Sequence, residues 1–175
     1  MNERPTWATV IGILGIIVAS FGMLGGMNEI ITPSIMKLQE GIFNTVEKGF
    51  SNIEMPSGSQ SKDNPFTTMT KKMKDIFQLP PWFATYSITS GILKLLLCGL
   101  YLFASIGLLQ MKPASIRLFY IATGSSIILN VVKGIIAVSA LSFLGGTMIV
   151  LGSVGVVIDI VFIAVVASGN KEGFI

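Results

Sequence analysis

The chain has 175 residues, of which 51% are hydrophobic and 12% are charged, and its net charge is +3. Soluble domains carry roughly twice that charged fraction, so the composition indicates an integral membrane protein, short enough for one domain. The small, scattered positive charge argues against a nucleic-acid partner and suits the head groups of a lipid bilayer. The sequence has no histidine and one cysteine, Cys98, which argues against zinc sites, iron–sulfur clusters and Ser–His or Cys–His catalysis. We therefore expect no cofactor and no enzymatic activity.

Four apolar runs are each long enough to cross a bilayer, which takes about 20 helical residues. They cover residues 6–31, 81–111, 113–140 and 145–168 and predict one all-α membrane domain, a four-helix bundle, over residues 1–175. The first run is too long for a signal peptide, and no A-x-A-like cleavage site follows it, so we interpret it as an uncleaved span. Pro5 and Pro113 suit first helical turns, where the missing N–H costs nothing. The short turn "QMKPAS" makes the second and third spans antiparallel neighbours.

The segment between the first two spans, residues 32–80, carries most of the charge and predicts two amphipathic helices outside the membrane. The first begins with Thr32 as N-cap and Pro33 as its first residue. Its apolar face comprises Ile35, Leu38, Ile42, Phe43, Val46, Phe50 and Ile53. The second follows Asn64 and Pro65. Its apolar stripe is Phe66, Met69, Met73, Ile76 and Phe77, and Lys71, Lys72 and Lys74 lie on its flanks and back.

Neither amphipathic helix can bury its apolar face alone. The two helices either pack on each other as a cap, lie in the head-group layer with their lysines reaching outward, or bind a partner. All three alternatives remain open from the sequence. In the last two, the residues of the second helix contact the membrane surface or a partner protein.

The distribution of Lys and Arg bears on orientation, since four spans place both termini on one side. The long segment carries six basic residues, and this raw count favours a cytoplasmic long segment. The tight turn near Lys112 and Arg117 concentrates positive charge in a very short loop, and the tails are short. On that ground we expect cytoplasmic termini, and the opposite orientation remains open.

Four ionisable residues fall within or at the edge of the spans: Glu29, Lys94, Lys133 and Asp159. At 1.5 Å of rise per residue, Lys94 and Asp159 both lie about 20 Å below the surface that bears the long segment. Equal depth and opposite charge predict that Lys94 meets Asp159, in the same chain or an adjacent one. Glu29 and Lys133 lie nearer that surface, and Asn130 precedes Lys133 by three residues and shares its helix face. The five residues form a predicted intramembrane polar seam, either as structural pairs or as a path for ions.

Small residues recur along the first two spans and let helices approach closely, within one bundle or between subunits. The predicted packing glycines are Gly12, Gly15, Gly22 and Gly26 on the first span and Gly91, Gly99 and Gly107 on the second.

The stretch "GLYLFASIGLLQMKPASIRLFYIATG", residues 99–124, resembles the central hairpin of several uncharacterised bacterial four-span membrane protein families. The resemblance implies a four-span fold and carries over no functional residues. The small-residue stripes, the amphipathic segment and the lack of catalytic side chains favour a non-catalytic structural or accessory subunit of a homo-oligomer or a larger membrane assembly. The alternative is a small ion or solute channel or transporter that uses Lys94, Lys133 and Asp159.

Overall fold

The computed structural model of this protein describes residues 5–51, 80–140, 144–171 and 174, and these ranges contain four α-helices and no strand. The helices are α1, Thr6–Ser51; α2, Phe83–Leu109; α3, Pro113–Ala140; and α4, Leu144–Ser168. The all-α prediction is therefore confirmed over the described residues. Helices α1, α2 and α3 are long and apolar enough to cross a membrane, and Gly152–Ser168 of α4 is a shorter apolar helix.

The second predicted amphipathic helix lies outside the described residues. The same holds for the side chains expected at a membrane surface or partner: Phe66, Met69, Lys71, Lys72, Met73, Lys74 and Phe77.

The first predicted amphipathic helix is not a separate element, because α1 continues without a break through residues 32–51. The prediction that Thr32 caps a new helix is wrong. Its Oγ1 donates a hydrogen bond of 2.6 Å to the carbonyl of Asn28, one turn earlier in the same helix. Pro33 lies inside α1 and is buried. With 46 residues at 1.5 Å of rise, α1 is about 69 Å long, more than twice the bilayer core of about 30 Å.

Consecutive helices pack against each other as antiparallel neighbours, α1 on α2, α2 on α3 and α3 on α4. Where α1 packs on α2, Gly12 lies next to Ser105 and Gly26 lies next to Gly91, so the two helices run in opposite directions. The main apolar core lies towards the end of the bundle that carries both termini. It comprises Ala8, Ile11, Ala19, Tyr101, Ala104, Leu108, Phe119, Ala122, Phe162, Val166 and Phe174.

Glycines set the distance between α1 and α2. Side chains or backbone of α2 occupy the space that a Cβ would need at Gly12, Gly15, Gly22 and Gly26. Gly91 packs in return against the Gly26 carbonyl, where an added Cβ would lie 2.8 Å from the oxygen. The stripe therefore serves packing within the chain.

The other two predicted packing glycines differ from each other. Gly107 packs against Ser115 across the α2–α3 turn. Gly99 makes no close contact within the chain, since no atom of a described neighbour lies within 4 Å of its Cβ position, and a packing role between subunits stays a prediction.

The turn between α2 and α3 is a Schellman motif. The Lys112 N–H donates to the Gly107 carbonyl at 3.1 Å, and the Met111 N–H donates to the Leu108 carbonyl at 3.1 Å. Met111 has φ of 56°, the left-handed conformation that glycine usually supplies in this motif. Pro113 then begins α3, as its position after a short basic turn predicts.

The two ends of the chain are held together by Trp7. Its indole Nε1 donates a hydrogen bond of 3.0 Å to the carbonyl of Asn170, and its ring stacks on Phe174 with centroids 5.5 Å apart. Gly169 packs directly on the indole ring and leaves no room for a Cβ. The start of α1 and the residues after α4 therefore form one packed end of the bundle.

Candidate functional site

Glu29 is the centre of a cluster of charges that joins three helices. Its Oε1 accepts a hydrogen bond of 3.0 Å from Lys94 Nζ of α2. Its Oε2 accepts hydrogen bonds from Lys133 Nζ of α3 at 2.6 Å and from Ser90 Oγ of α2 at 2.9 Å. One carboxylate of α1 thus binds two ammonium groups and one hydroxyl from two neighbouring helices. We call Glu29, Lys94, Lys133 and Ser90 the Glu29 cluster.

The backbone of Glu29 also takes part, for a reason that lies in the sequence. Pro33 follows Glu29 by four residues and has no N–H, so the Glu29 carbonyl lacks its usual partner within the helix. The Ser87 hydroxyl of α2 donates to that carbonyl at 2.6 Å. Ser87 and Ser90 are both buried and lie on one face of α2 with Lys94. The proline is tolerated in α1 because α2 satisfies the acceptor that it leaves open.

Glycines make room for the cluster. A Cβ on Gly25 would lie 2.9 Å from Lys94 Nζ, and a Cβ on Gly91 would lie 3.2 Å from the Glu29 Cβ. Because these positions carry no side chain, α1 and α2 approach closely and the lysine stem passes between them. The stripe of small residues and the cluster of charges therefore depend on each other.

The charges of the cluster do not balance. Two lysines share one carboxylate, so the cluster carries one excess positive charge. The three side chains are partly buried, with exposed fractions of 24% for Glu29, 29% for Lys94 and 18% for Lys133. A buried charge that loses its partner is strongly destabilising, by about 3–5 kcal/mol. Among the described residues, Glu29 is the only carboxylate that pairs with either lysine.

Asp159 lies apart from the cluster and is buried, at 3% exposure. Its Oδ1 accepts a hydrogen bond of 3.4 Å from the Tyr101 hydroxyl of α2, and Ser126 of α3 also hydrogen-bonds to the carboxyl group. Among the described residues no Lys or Arg pairs with it. A carboxyl group in this setting is held by neutral donors from two helices.

The predicted pair of Lys94 with Asp159 is therefore wrong within this chain. The predicted depths separated Lys94 from Glu29, yet the two are in contact, so depth counted along each helix did not identify the partner and the direction of each side chain did. Helical side chains lean towards the N-terminus of their helix, so Lys94 reaches up α2 towards Glu29 and lies against Gly25 of α1. Asp159 lies on α4, which packs mainly on α3. The excess positive charge and the buried carboxyl group are thus separate.

Of the other predicted contacts in the polar seam, one is present and one is not. The contact of Glu29 with Lys133 is present at 2.6 Å. The predicted inclusion of Asn130 beside them is wrong, because its Nδ2 faces Gly155 of α4, 3.6 Å from where a Cβ would be. A shift of three residues on a helix turns a side chain by about 60°, which here separates one neighbouring helix from another.

Sequence reasoning did not identify Ser87, Ser90, Tyr101 or Ser126 as members of polar sites. One signal for the serines was available: the pattern S-x-x-S-x-x-x-K, residues 87–94, places three polar groups on one face of an apolar helix. Tyr101 and Ser126 carried no such signal, since single hydroxyls are common in apolar helices.

The side chains of the cluster bind one another, and metal-binding geometry is not found in the part of the chain that the structure describes. No three Asp, Glu or Cys side chains come together there. Cys98 packs against Gly22 as a small apolar side chain. Comparisons of the chain with protein families, curated proteins and solved structures give no match.

Proposed function

We propose that this chain is a non-catalytic integral membrane protein of four spans that acts as a structural or accessory subunit of a membrane assembly. One observation carries the proposal: the part of α1 beyond the first span presents large apolar side chains to its surroundings. We call residues 32–51 the extension. Ile35, Leu38 and Ile42 are exposed there by 45%, 68% and 62%.

The length of α1 makes this exposure informative. The first span uses about 25 residues, so the extension projects about 30 Å beyond it. Lipid chains account for exposed apolar residues inside the bilayer but not for those well outside it. Contiguous apolar surface in water marks a site of interaction with protein or membrane. A helix that projects from the membrane and carries such a face is suited to hold a partner.

The Glu29 cluster supports a structural role for the charges. Both lysines are directed at one carboxylate and join α1, α2 and α3, so the ionic groups contribute to the packing of the bundle. Polar contacts between membrane helices stabilise by about 1 kcal/mol each. Such a set of bonds gives the extension a rigid base.

The same proposal includes a bacterial inner membrane with cytoplasmic termini. The contact of Trp7 with Asn170 keeps both ends of the chain at one end of the bundle, next to the basic turn at Lys112. A C-terminal fluorescent protein that folds only in the cytoplasm tests the orientation. Fluorescence is expected, and its absence together with activity of a periplasmic reporter at the same site would reverse the orientation.

The assembly itself is tested by extraction of the full chain in a mild detergent or a lipid-solubilising polymer, followed by native mass spectrometry. We expect a complex of more than one chain. Leu38→Glu should release monomers because it places a charge in the apolar face. Glu40→Lys on the same part of α1 is the matched control, since Glu40 is exposed and lies off that face. A wild-type chain that is monomeric and carries no partner contradicts the proposal.

A second candidate, a small ion or proton transporter, rests on Asp159. It is a buried carboxyl group, paired with no lysine or arginine in the described ranges, and ionisable groups inside membranes often mark ion paths. Purified protein in liposomes with an interior pH-sensitive dye, or loaded with Na⁺ or K⁺, tests it. Asp159→Asn should abolish flux and Glu40→Gln should leave it unchanged. No flux above empty liposomes, or flux that Asp159→Asn does not alter, contradicts this candidate.

A further inference from the structure

The exposed apolar residues of α1 repeat every three and four positions along most of its length. Numbered as a heptad abcdefg with Leu14 at a, the a positions from residue 14 to residue 42 hold Leu14, Phe21, Asn28, Ile35 and Ile42. The d positions from residue 10 to residue 45 hold Val10, Ile17, Leu24, Ile31, Leu38 and Thr45. We call these a and d residues the α1 seam. Nine of the eleven are large and apolar, and all nine are exposed, by 41% to 71%.

The α1 seam belongs to one continuous apolar face of the helix. All twelve large apolar residues that α1 exposes lie at a, d, e or g positions. The residues that pack on α2, such as Gly12, Gly15 and Gly26, lie at b and f, about 150° around the helix from the seam. The charged residues of the extension with described side chains, Lys37, Glu40 and Lys48, lie outside the a and d positions. One face of α1 is thus used within the chain, and the opposite face is apolar and unoccupied by any described residue.

The period of the repeat identifies the kind of partner. A straight helix has 3.6 residues per turn, so a 3.5-residue repeat drifts by about 20° per heptad, or about 100° over five heptads. Such a seam stays on one side only if the helix supercoils around another helix. Apolar a and d positions sustained over three or four heptads are typical of a coiled coil, and in soluble coiled coils the e and g positions are charged. The α1 seam has the a and d pattern, and of its e and g positions only Lys48, beyond its last residue, is charged. Contact with lipid favours an apolar surface inside the membrane, but it does not select a 3.5-residue period. The lipid chains also do not reach as far along α1 as Ile42.

The extension also has the surface detail that coiled-coil packing uses. A shallow groove there is lined by Lys37, Leu38, Gly41, Ile42, Thr45 and Val46. Four of these residues occupy consecutive d, g, a and d positions, and they are Leu38, Gly41, Ile42 and Thr45. In a parallel coiled coil this set of positions forms the hole that receives an a residue of the partner. Gly41 leaves the hole open, because nothing lies within 4 Å of its Cβ position.

We propose that the partner is a second copy of this chain, whose α1 runs parallel to the first in a two-fold symmetric coiled coil from Val10 to Thr45. This deepens the proposed assembly function and rests on it. Copies inserted in one orientation and related by an axis along the membrane normal place their α1 helices parallel. The partner must cover about 53 Å, across the first span and the extension, and a second α1 has that length.

Residue choice and area agree with a dimer. Within the extension, Ile35 and Ile42 at a with Leu38 at d favour two strands, whereas Leu14 at a with Ile17 at d in the first span does not select two strands. A single Asn at a, Asn28, favours in-register pairing with itself. Its side chain is exposed in the single chain. With about half of their surface exposed, the nine apolar seam residues offer on the order of 800 Å² per chain, as much as one partner buries in a standard interface.

Cysteine cross-linking of the full chain in native membranes tests the proposal. Cys98→Ser gives a chain without cysteine, into which single cysteines are placed at Leu24, Leu38 or Ile42. Glu40→Cys, at position f on the opposite side of the same helix, is the matched control. Two cysteines form a disulfide only when their Cα atoms lie within about 7 Å. Mild oxidation should convert the seam variants to disulfide-linked dimers on a denaturing gel and leave the control monomeric.

The outcomes separate the dimer from the wider proposal. Absence of disulfide-linked dimers at all three seam positions, or an equal yield of dimers with Glu40→Cys, overturns the α1–α1 interface. A single peak in size-exclusion chromatography after mild extraction checks that each variant is folded. If such variants still extract as a larger complex, the interface is wrong and the assembly function stands. If the wild-type chain is a monomer without a partner, both are wrong.

Discussion

The two ends of the bundle are held together by different forces. At the end with the termini, Leu108, Phe119 and Val166 are fully buried, and the rings of Tyr101, Phe119 and Phe162 pack edge-on or tilted against one another. At the other end the helices meet through Glu29 and two lysines, which remain partly exposed. The apolar end spreads its stabilisation over many small contacts, whereas the ionic end concentrates it on one carboxylate. The two ends should therefore respond differently to substitution.

The largest effect is expected from Glu29→Gln. The amide cannot neutralise Lys94 and Lys133, which would face each other across the three-helix contact. Loss of one partner from a buried ion pair costs about 3–5 kcal/mol. Thermal unfolding of the detergent-solubilised protein, followed by circular dichroism, measures the loss. Glu40→Gln on the same helix is the control, and an equal unfolding temperature for the two variants would show that the Glu29 cluster contributes little.

Leu108→Ala probes the apolar end and should cost about 2–4 kcal/mol, since the vacated volume is fully enclosed. Leu96→Ala is the control, because Leu96 is exposed by 67% on the same helix and should change stability little. Combined with Glu29→Gln, the effect of Leu108→Ala should be additive, because the sites share no partner. Clear non-additivity would mean that the two ends do not act independently.

A smaller effect is expected from Ser87→Ala, which leaves the Glu29 carbonyl without a donor and should cost about 1–3 kcal/mol. Pro33→Ala restores a backbone N–H to that carbonyl. In the Pro33→Ala background the cost of Ser87→Ala should therefore be less, and a double-mutant cycle measures the difference. An unchanged cost in both backgrounds would exclude the proposed link between the proline and the serine.

The smallest effect is a gain. Met111→Gly should raise the free energy of unfolding by about 1 kcal/mol, because glycine adopts the left-handed conformation of the Schellman turn without strain. Gln110→Gly, one residue earlier, is the control. Gln110 has φ of −88°, which suits any residue, so glycine there should lower the free energy of unfolding or leave it unchanged. If both glycines act alike, the turn does not hold Met111 in this conformation in solution.

The sequence predicted features that depend on local periodicity. Long apolar runs indicated the helices, and Pro113 marked the start of α3. Small residues every three or four positions indicated close helix contacts, within the bundle or between subunits. The sequence also placed Glu29 and Lys133 together at the outer end of the predicted seam, and they are in contact. The continuation of α1 through Pro33 was not predicted, because the strongest local signal, a Thr-Pro pair, is typical of a helix start.

What the sequence by itself determined about this protein is its helical, apolar character and the position of each charge along its own helix. These follow from residue order and a fixed rise per residue. Tertiary structure alone decided which way each charge points and with whom it pairs. Lys94 binds Glu29 and not Asp159, because the facing glycines of α1 and α2 bring those two helices together. The helix break expected at Pro33 is absent for a similar reason: Ser87, distant in sequence, donates the hydrogen bond that proline cannot.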